Sequence, residues 1–187
     1  MIKILNSEKG FTLVELMVAL GLFGIIVTIS IGSVIGLFDA NRKSQSLASV
    51  VNNLNFSIEN MTRIIRFAGA YHCSLSVPLS SPNDCSSGDV AVAVTNGSGT
   101  TIFRFNSGTG KIETSTTGGN SYTPITSDEV TIQSAKFYVF NTTPGSGGDV
   151  NQPYILVIIR GFAGGSKPSS QSSFDVQTII SQRELDL

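Results

Sequence analysis

The chain has 187 residues, 12 Lys+Arg against 13 Asp+Glu, a formal net charge of −1 and no Trp. That length leaves room for one modest soluble domain beside any membrane segment. No basic cluster exceeds Arg42-Lys43, so an electrostatic footprint for nucleic acid is missing, and the Gly-, Ser- and Thr-rich composition suits a β-rich extracytoplasmic head rather than a cytosolic enzyme core.

Met1–Gly10 reads as a short polar leader. The apolar core of an ordinary secretory signal precedes its cleavage site; here the apolar run comes afterwards. From Phe11 to Phe38 there is no Lys, Arg, Asp, Asn or Pro, and Glu15 is the only charge. About 20 such residues at ~1.5 Å each cross the ~30 Å core of a bilayer. No small-x-small cleavage site follows, since the next residues are Asp39-Ala40-Asn41-Arg42-Lys43. A retained transmembrane helix is expected.

Glu15 is costly there, because a carboxylate deep in lipid costs about 2.5–3.5 kcal/mol on insertion scales. A cut between Gly10 and Phe11 would create an α-ammonium four residues upstream. A neighbouring copy of the helix, shifted axially, would then present its ammonium to Glu15, giving a charge pair that exists only on assembly.

The stretch Lys9-Gly10-Phe11-Thr12-Leu13-Val14-Glu15 resembles the processing site of the type IV pilin family. The resemblance implies that a prepilin peptidase cuts after Gly10 and methylates Phe11, and that Glu15 guides helix packing in a filament. It also implies the partners: other pilin or pseudopilin subunits, the peptidase, an inner-membrane assembly platform, and membrane lipid before assembly. An ordinary signal anchor would leave Glu15 without a role. Lys3 and Lys9 on one flank tie with Arg42 and Lys43 on the other, so positive charge alone does not orient the span. The resemblance breaks the tie. It places the leader in the cytoplasm and Asp39–Leu187 outside, in a single-pass inner-membrane protein that later enters a pilus or a periplasmic pseudopilus. An extracytoplasmic pair such as Cys73 and Cys85 oxidises as a rule, and closing their loop contributes roughly 3 kcal/mol in the chain-entropy model. The alternative of free thiols or a metal with His72 is weaker, since one His and two Cys do not complete a tetrahedral site.

Gly21, Gly24, Gly32 and Gly36 interrupt the apolar helix. They fit close helix approach in lipid as well as they fit plain tolerance of Gly. Major pilins often carry Pro at the position of Gly32, so a bend without a Pro kink is expected. Beyond Asp39 the pattern turns amphipathic, with Leu47, Val50/Val51, Leu54, Ile58, Met61, Ile65 and Ala68 every three or four residues. Gly69 is a fitting stop, and Arg63 and Arg66 suit the C-terminal end of the helix dipole. The expected divisions are a leader 1–10, a membrane helix 11–38, its amphipathic continuation 39–68 and a β-rich head 69–187.

The head begins with a loop, Gly69–Gly88, holding both cysteines. Val90, Val92 and Val94 alternate with Ala91 and Ala93. Thr101–Asn106 puts Phe103 and Phe105 opposite Arg104, and Gly108-Thr109-Gly110 turns into Lys111–Ser115. Val130–Asn141 sets Phe137 and Val139 against Lys136, Tyr138 and Phe140. Pro144–Gly148 reads as a loop. The unbroken apolar run Tyr154–Ile159 predicts a central strand covered on both faces. A Gly/Ser loop, Gly161–Ser173, then leads to the alternating Phe174–Arg183. The fold class is α+β: a long N-terminal helix packed on one antiparallel sheet of roughly four to six strands, as in pilins.

The segments Gln152-Pro153-Tyr154, Phe174–Thr178 and Gln182-Arg183 resemble the C-terminal strands of minor pilins and J-type pseudopilins. Retention of Glu15 argues against the K-type. A minor subunit is favoured over a major one. Catalysis has little support: His72 is the sole His, no Gly-x-Ser-x-Gly elbow occurs, and the paired acids Asp128-Glu129 suit a solvated strand edge. Asp84, Asp89 and Asp149 offer oxygen ligands for Ca²⁺, against ordinary loop solvation. No cofactor or metal is called for. A membrane-anchored extracellular binding or adhesion domain is the competing class, and it leaves Glu15 unexplained.

Overall fold

A helix of 54 residues, α1 (Leu13–Arg66), opens the fold. The computed structural model describes residues 10–75, 78–79, 81–142, 151–163 and 171–183. It divides into two compact units, Met1–Arg42 and Lys43–Leu187. The leader residues 1–9, the Pro144–Gly148 loop, Asp149 and residues 164–170 of the second Gly/Ser loop lie outside the described residues.

In the second unit, α1 buries Val50, Leu54, Ser57, Met61 and Ile65, the i, i+4, i+7, i+11 spacing of one helix face. Each apolar member contributes about 2 kcal/mol by leaving water. Leu47 and Val51, counted in the sequence stripe, are exposed. Ser57 takes a core position because its hydroxyl is satisfied, donating to Ile125 O at 2.6 Å and to Asn53 O at 2.9 Å. The helix ends at Arg66, two residues before the expected Ala68. Its last carbonyls find partners at once: Ile65 O accepts from the Tyr71 hydroxyl at 3.0 Å, and Arg66 O from the Arg183 N–H at 2.9 Å. These satisfy acceptors that a helix end leaves orphaned. Burial pushes the Tyr71 phenol pKa up.

Among the described residues, nine strands follow in two antiparallel sheets, where one sheet was expected. They are β1 (Ala70–Cys73), β2 (Cys85–Asp89), β3 (Ala91–Asn96), β4 (Gly99–Asn106), β5 (Lys111–Ser115), β6 (Thr123–Pro124), β7 (Val130–Phe140), β8 (Tyr154–Ala163) and β9 (Ser172–Ser181). The five-stranded sheet runs β1-β3-β4-β5-β6 and the four-stranded sheet β2-β7-β8-β9. One hydrophobic core joins α1 with Val92, Val94, Phe103 and Ile112 of the first sheet and Val130, Phe137, Val139, Ile155, Val157, Ile159 and Ile180 of the second.

Several local expectations change. The Gly69–Gly88 loop contains β1 and β2, short strands with too little apolar alternation to announce themselves. Val90 precedes β3 and is exposed, whereas Ala91 to Val94 are all buried. In β7, Phe137 and Val139 face the core and Lys136 faces solvent, as the alternation predicts. β8 is central but fully covered on one face only, with Leu156 and Ile158 half-buried on the other. An apolar run cannot by itself distinguish two-sided burial from an apolar outer face. Gly161 lies within β8 because no side chain fits there: a Cβ would sit 2.4 Å from Thr131 O and 2.8 Å from Phe174 Cζ, next to the irregular pairing between Ile132 and Ser134.

On β4 and β5, Arg104 and Glu113 are register partners. Arg104 donates to Glu113 Oε2 from Nε at 2.9 Å and from Nη2 at 2.8 Å, and Asn106 donates to Oε1 at 2.9 Å. The Tyr122 ring lies 3.4 Å from the guanidinium carbon. Burial raises the Glu113 pKa, but the Asn106 and Arg104 hydrogen bonds and the Arg104 charge outweigh it and hold the carboxyl below its ordinary value. A depressed folded pKa contributes stability that is complete above the unfolded value, about 4.3, and lost as pH falls through the folded one. Glu113→Gln should therefore cost roughly 1–3 kcal/mol at pH 7 and much less at pH 3. Melts of the detergent-solubilised chain at both pH values, followed by near-ultraviolet circular dichroism, check this; an equal loss at both would contradict it.

Candidate functional site

The chain enters α1 through three non-helical residues, Gly10, Phe11 and Thr12, all exposed. Thr12 starts the helix. Its Oγ1 accepts the Glu15 N–H and its carbonyl accepts the Leu16 N–H, both at 3.2 Å. Thr12-Leu13-Val14-Glu15 thus has the Thr-x-x-Glu spacing of a capping box, and a carboxylate in the first turn suits the positive end of the helix dipole. The Gly10–Phe11 bond lies just outside the helix, in backbone not committed to the helical ladder. Thr12 was missed as a functional residue at the sequence level, although the Thr-x-x-Glu spacing before an apolar run announces it.

Among the described residues, the apolar side chains that follow are left largely bare. Phe11 is 81% exposed, Met17 65% and Phe38 61%, and α1 holds a stretch long and apolar enough to cross a membrane. Hydroxyls within this stretch are satisfied internally: Thr28 donates to Gly24 O and Ser30 to Ile26 O at 2.8 Å, and Ser33 to Ile29 O at 3.1 Å. That is what a lipid-facing helix requires of its polar groups. Nothing lies within 4 Å of where a Cβ would project from Gly21, Gly24, Gly32 or Gly36, so this chain's own packing does not demand them. Glu15 has no ion pair among the described residues.

Cys73 and Cys85 form a disulfide with Cα atoms 5.9 Å apart. It does more than close a loop, since Cys73 ends β1 and Cys85 begins β2. The bond therefore clasps an edge of one sheet to an edge of the other. With both sulfurs bonded, the metal alternative at His72 has no thiolates; the imidazole is buried, with Nδ1 2.6 Å from Ser81 O. No group of three His, Cys, Asp or Glu suited to a metal occurs among the described residues. Asp84 is occupied otherwise, accepting the Asn141 and Thr142 N–H groups at 3.1 and 2.9 Å. Asp89 accepts the Val90 N–H at 2.6 Å. The paired acids diverge to separate partners, Asp128 to Lys111 at 3.3 Å and Glu129 to the Ser49 hydroxyl.

Comparison with known families gives one match: the prokaryotic N-terminal methylation motif, over residues 5–37. No curated protein and no solved structure matches the chain. The matched stretch contains the Gly10–Phe11 junction, the Thr12 cap, Glu15 and most of the apolar run. Together with the α+β architecture, the motif supports a type IV pilin-like subunit, and with the apolar helix it fits a membrane-anchored one. It implies processing by a prepilin peptidase and assembly with other pilin subunits.

Replacing Cys73 and Cys85 together by Ser should lower stability by roughly 2–4 kcal/mol without changing the helical span. Denaturation midpoints against wild type measure the loss, and thiol labelling of the unreduced wild type should find neither sulfur free. A stability loss near zero would mean that the core alone fixes the two sheet edges.

Proposed function

We infer that the chain is a structural subunit, a minor pilin or pseudopilin, of a type IV pilus or type II secretion filament. A prepilin peptidase cleaves between Gly10 and Phe11 and methylates Phe11. The mature chain waits in the inner membrane, anchored by residues 11–38 with its head outside the cytoplasm, and an assembly platform docks it into the filament. The observation that carries this reading is Glu15, a carboxylate in the first turn of a helix that is otherwise uncharged as far as Phe38 and whose apolar surface there the chain leaves bare. Lipid accepts that surface but penalises the charge. A neighbouring helix accepts the surface and supplies, in its new α-ammonium, the missing cation. The disulfide supports an oxidising compartment for the head. The role is structural rather than enzymatic, with methylation and assembly as its chemistry.

Intact mass should give a mature chain that begins at methylated Phe11; Met1 retained would sink the reading. Glu15→Ala should insert in the membrane, be cleaved after Gly10 and keep its disulfide. Its incorporation into sheared filaments should fall about ten-fold or more, by immunoblot, for loss of a desolvated charge pair. Normal incorporation would transfer the weight to a membrane-anchored binding domain.

A further inference from the structure

The two sheets finish their outer faces differently. On the five-stranded sheet that face carries the polar cluster of Arg104, Glu113 and Tyr122. The four-stranded sheet turns apolar side chains outward instead. Its register sets them in rows across β7, β8 and β9: Phe140–Tyr154–Ser181, Tyr138–Leu156–Ile179 and Lys136–Ile158–Gln177. Below these come Arg160–Asp175 and Phe162–Ser173. The hydrophobic core takes the alternating residues of the other face. The outward apolar side chains are half-buried, shaded by one another, and Ile179 is 64% exposed. The Phe140 and Tyr154 rings stack with centroids 5.0 Å apart. Tyr138 lies over Gly88 of β2, where a Cβ would come within 2.6 Å of the ring. The result is an apolar surface with few projections.

The apolar rows lie where β7 and β9 end, and the charged row lies nearer their start. Whatever covers the face must follow that gradient, and a second copy does so in one orientation only. Turned about a two-fold axis that runs along β8, it keeps its strands parallel to the first, and every row meets itself. Leu156 then faces Leu156 of the second copy, Tyr138 faces Ile179, and Lys136 faces Gln177. Each Arg160 is already held by its own Asp175 at 2.8 Å, and the crossing of two twisted sheets turns that row apart toward a wet rim. Turned instead about an axis across the strands, the copy would lay its charged row on Leu156. The course of α1 in the head agrees with the parallel choice. Ser49 bonds Glu129 just before β7, and Arg66 O accepts from Arg183 just after β9, so this part of the helix runs with those strands. The Lys43 ends of both helices thus lie on the same side, as two chains in one membrane require.

Three strands ~4.8 Å apart, with five rows over ten residues at ~3.3 Å each, make a face of roughly 14 by 33 Å. Two such faces bury about 1,000 Å², the low end for a specific contact, which suits a reversible pair. We propose that two copies of this chain dimerise through the outer faces of their four-stranded sheets, packed face to face with strands parallel. The contact uses the face turned away from the core and α1, and it does not rest on the helix-mediated assembly.

The test uses the full chain in detergent micelles, with micelles in excess over chains, in two lengths distinguished by a tag. Both native cysteines are bonded to each other, so a short bismaleimide reports introduced thiols alone. Lys136 and Gln177 are exposed on β7 and β9, and the parallel pair sets one opposite the other across sheets ~10 Å apart. Lys136→Cys on one length and Gln177→Cys on the other should therefore give a mixed dimer several-fold more abundant than either same-variant dimer. It should also exceed the yield of Ser107→Cys, in an exposed turn of the other sheet. Adding Ile179→Glu, a charge on the apolar row at an exposed position, should weaken the dimer about ten-fold with near-ultraviolet circular dichroism unchanged. Sedimentation across a dilution series reads the same shift without a cross-linker. Glu15→Ala should leave the dimer intact, which separates this contact from filament assembly. Same-variant dimers in excess would mean antiparallel strands and overturn the proposal. So would a mixed yield no higher than that of Ser107→Cys, indifference to Ile179→Glu, or loss of the dimer with Glu15→Ala.

Discussion

The bare apolar surface of residues 11–38 is the constraint on which the rest of the molecule depends. The chain builds all of it from Leu13 onward into one uninterrupted helix, caps the start with Thr12 and satisfies each hydroxyl of Thr28, Ser30 and Ser33 on the preceding turn. No polar demand remains inside it except one carboxylate. A helix with that single demand is tolerable in lipid and better placed against a partner that brings a cation. An assembly signal of this form needs few residues, so the head is free to diverge. That is consistent with a family match confined to residues 5–37.

The second half of α1 works by the opposite logic. Its stripe Val50–Leu54–Met61–Ile65 enters a core that neither sheet closes alone, and the sheets are held at one pair of edges by Cys73–Cys85. The helix end is fixed from two sides, by the hydroxyl of Tyr71 from β1 and by the amide of Arg183 just after β9. The first and last strands thereby lock onto the same turn of helix. On the far side of the five-stranded sheet, Arg104, Glu113 and Tyr122 replace apolar packing with a satisfied polar cluster. Such a cluster resists acid only while Glu113 stays ionised.

Much of this is legible in the residues, for identifiable reasons. The long helix is legible because nothing breaks its apolar period before Gly69, and β5 and β7 because turn glycines and strict alternation bracket them. The methylation motif is legible because Gly10, Phe11 and Glu15 put a polar leader, a Gly-Phe junction and a misplaced charge in one short stretch. β1 and β2 escape because Ala70–Cys73 and Cys85–Asp89 are short and carry cysteines, glycine and serines rather than β-branched residues. The second sheet escapes because sequence alternation assigns a residue to a face, not to a sheet. Leu156 and Ile158 mislead for a related reason, being apolar on a face that is only half covered.

The edges show where the head's own stability and its capacity for partners diverge. An exposed edge gains nothing for the isolated fold, since its outward N–H and C=O groups are equally well served by water. Its cost is the risk of pairing with whatever strand arrives. At β1, β2 and β6 that risk is removed by means visible in the chain: Asn83, the disulfide and Pro124. These need no change elsewhere in the sheet, and one Lys or Pro would have done the same for β9. The protected edges show that such means are within the reach of this fold, and among the described residues β9 carries none of them. The bond from the Arg183 N–H to Arg66 O ends β9 beside the helix terminus, so the last strand of the head and the last turn of α1 hold each other in place.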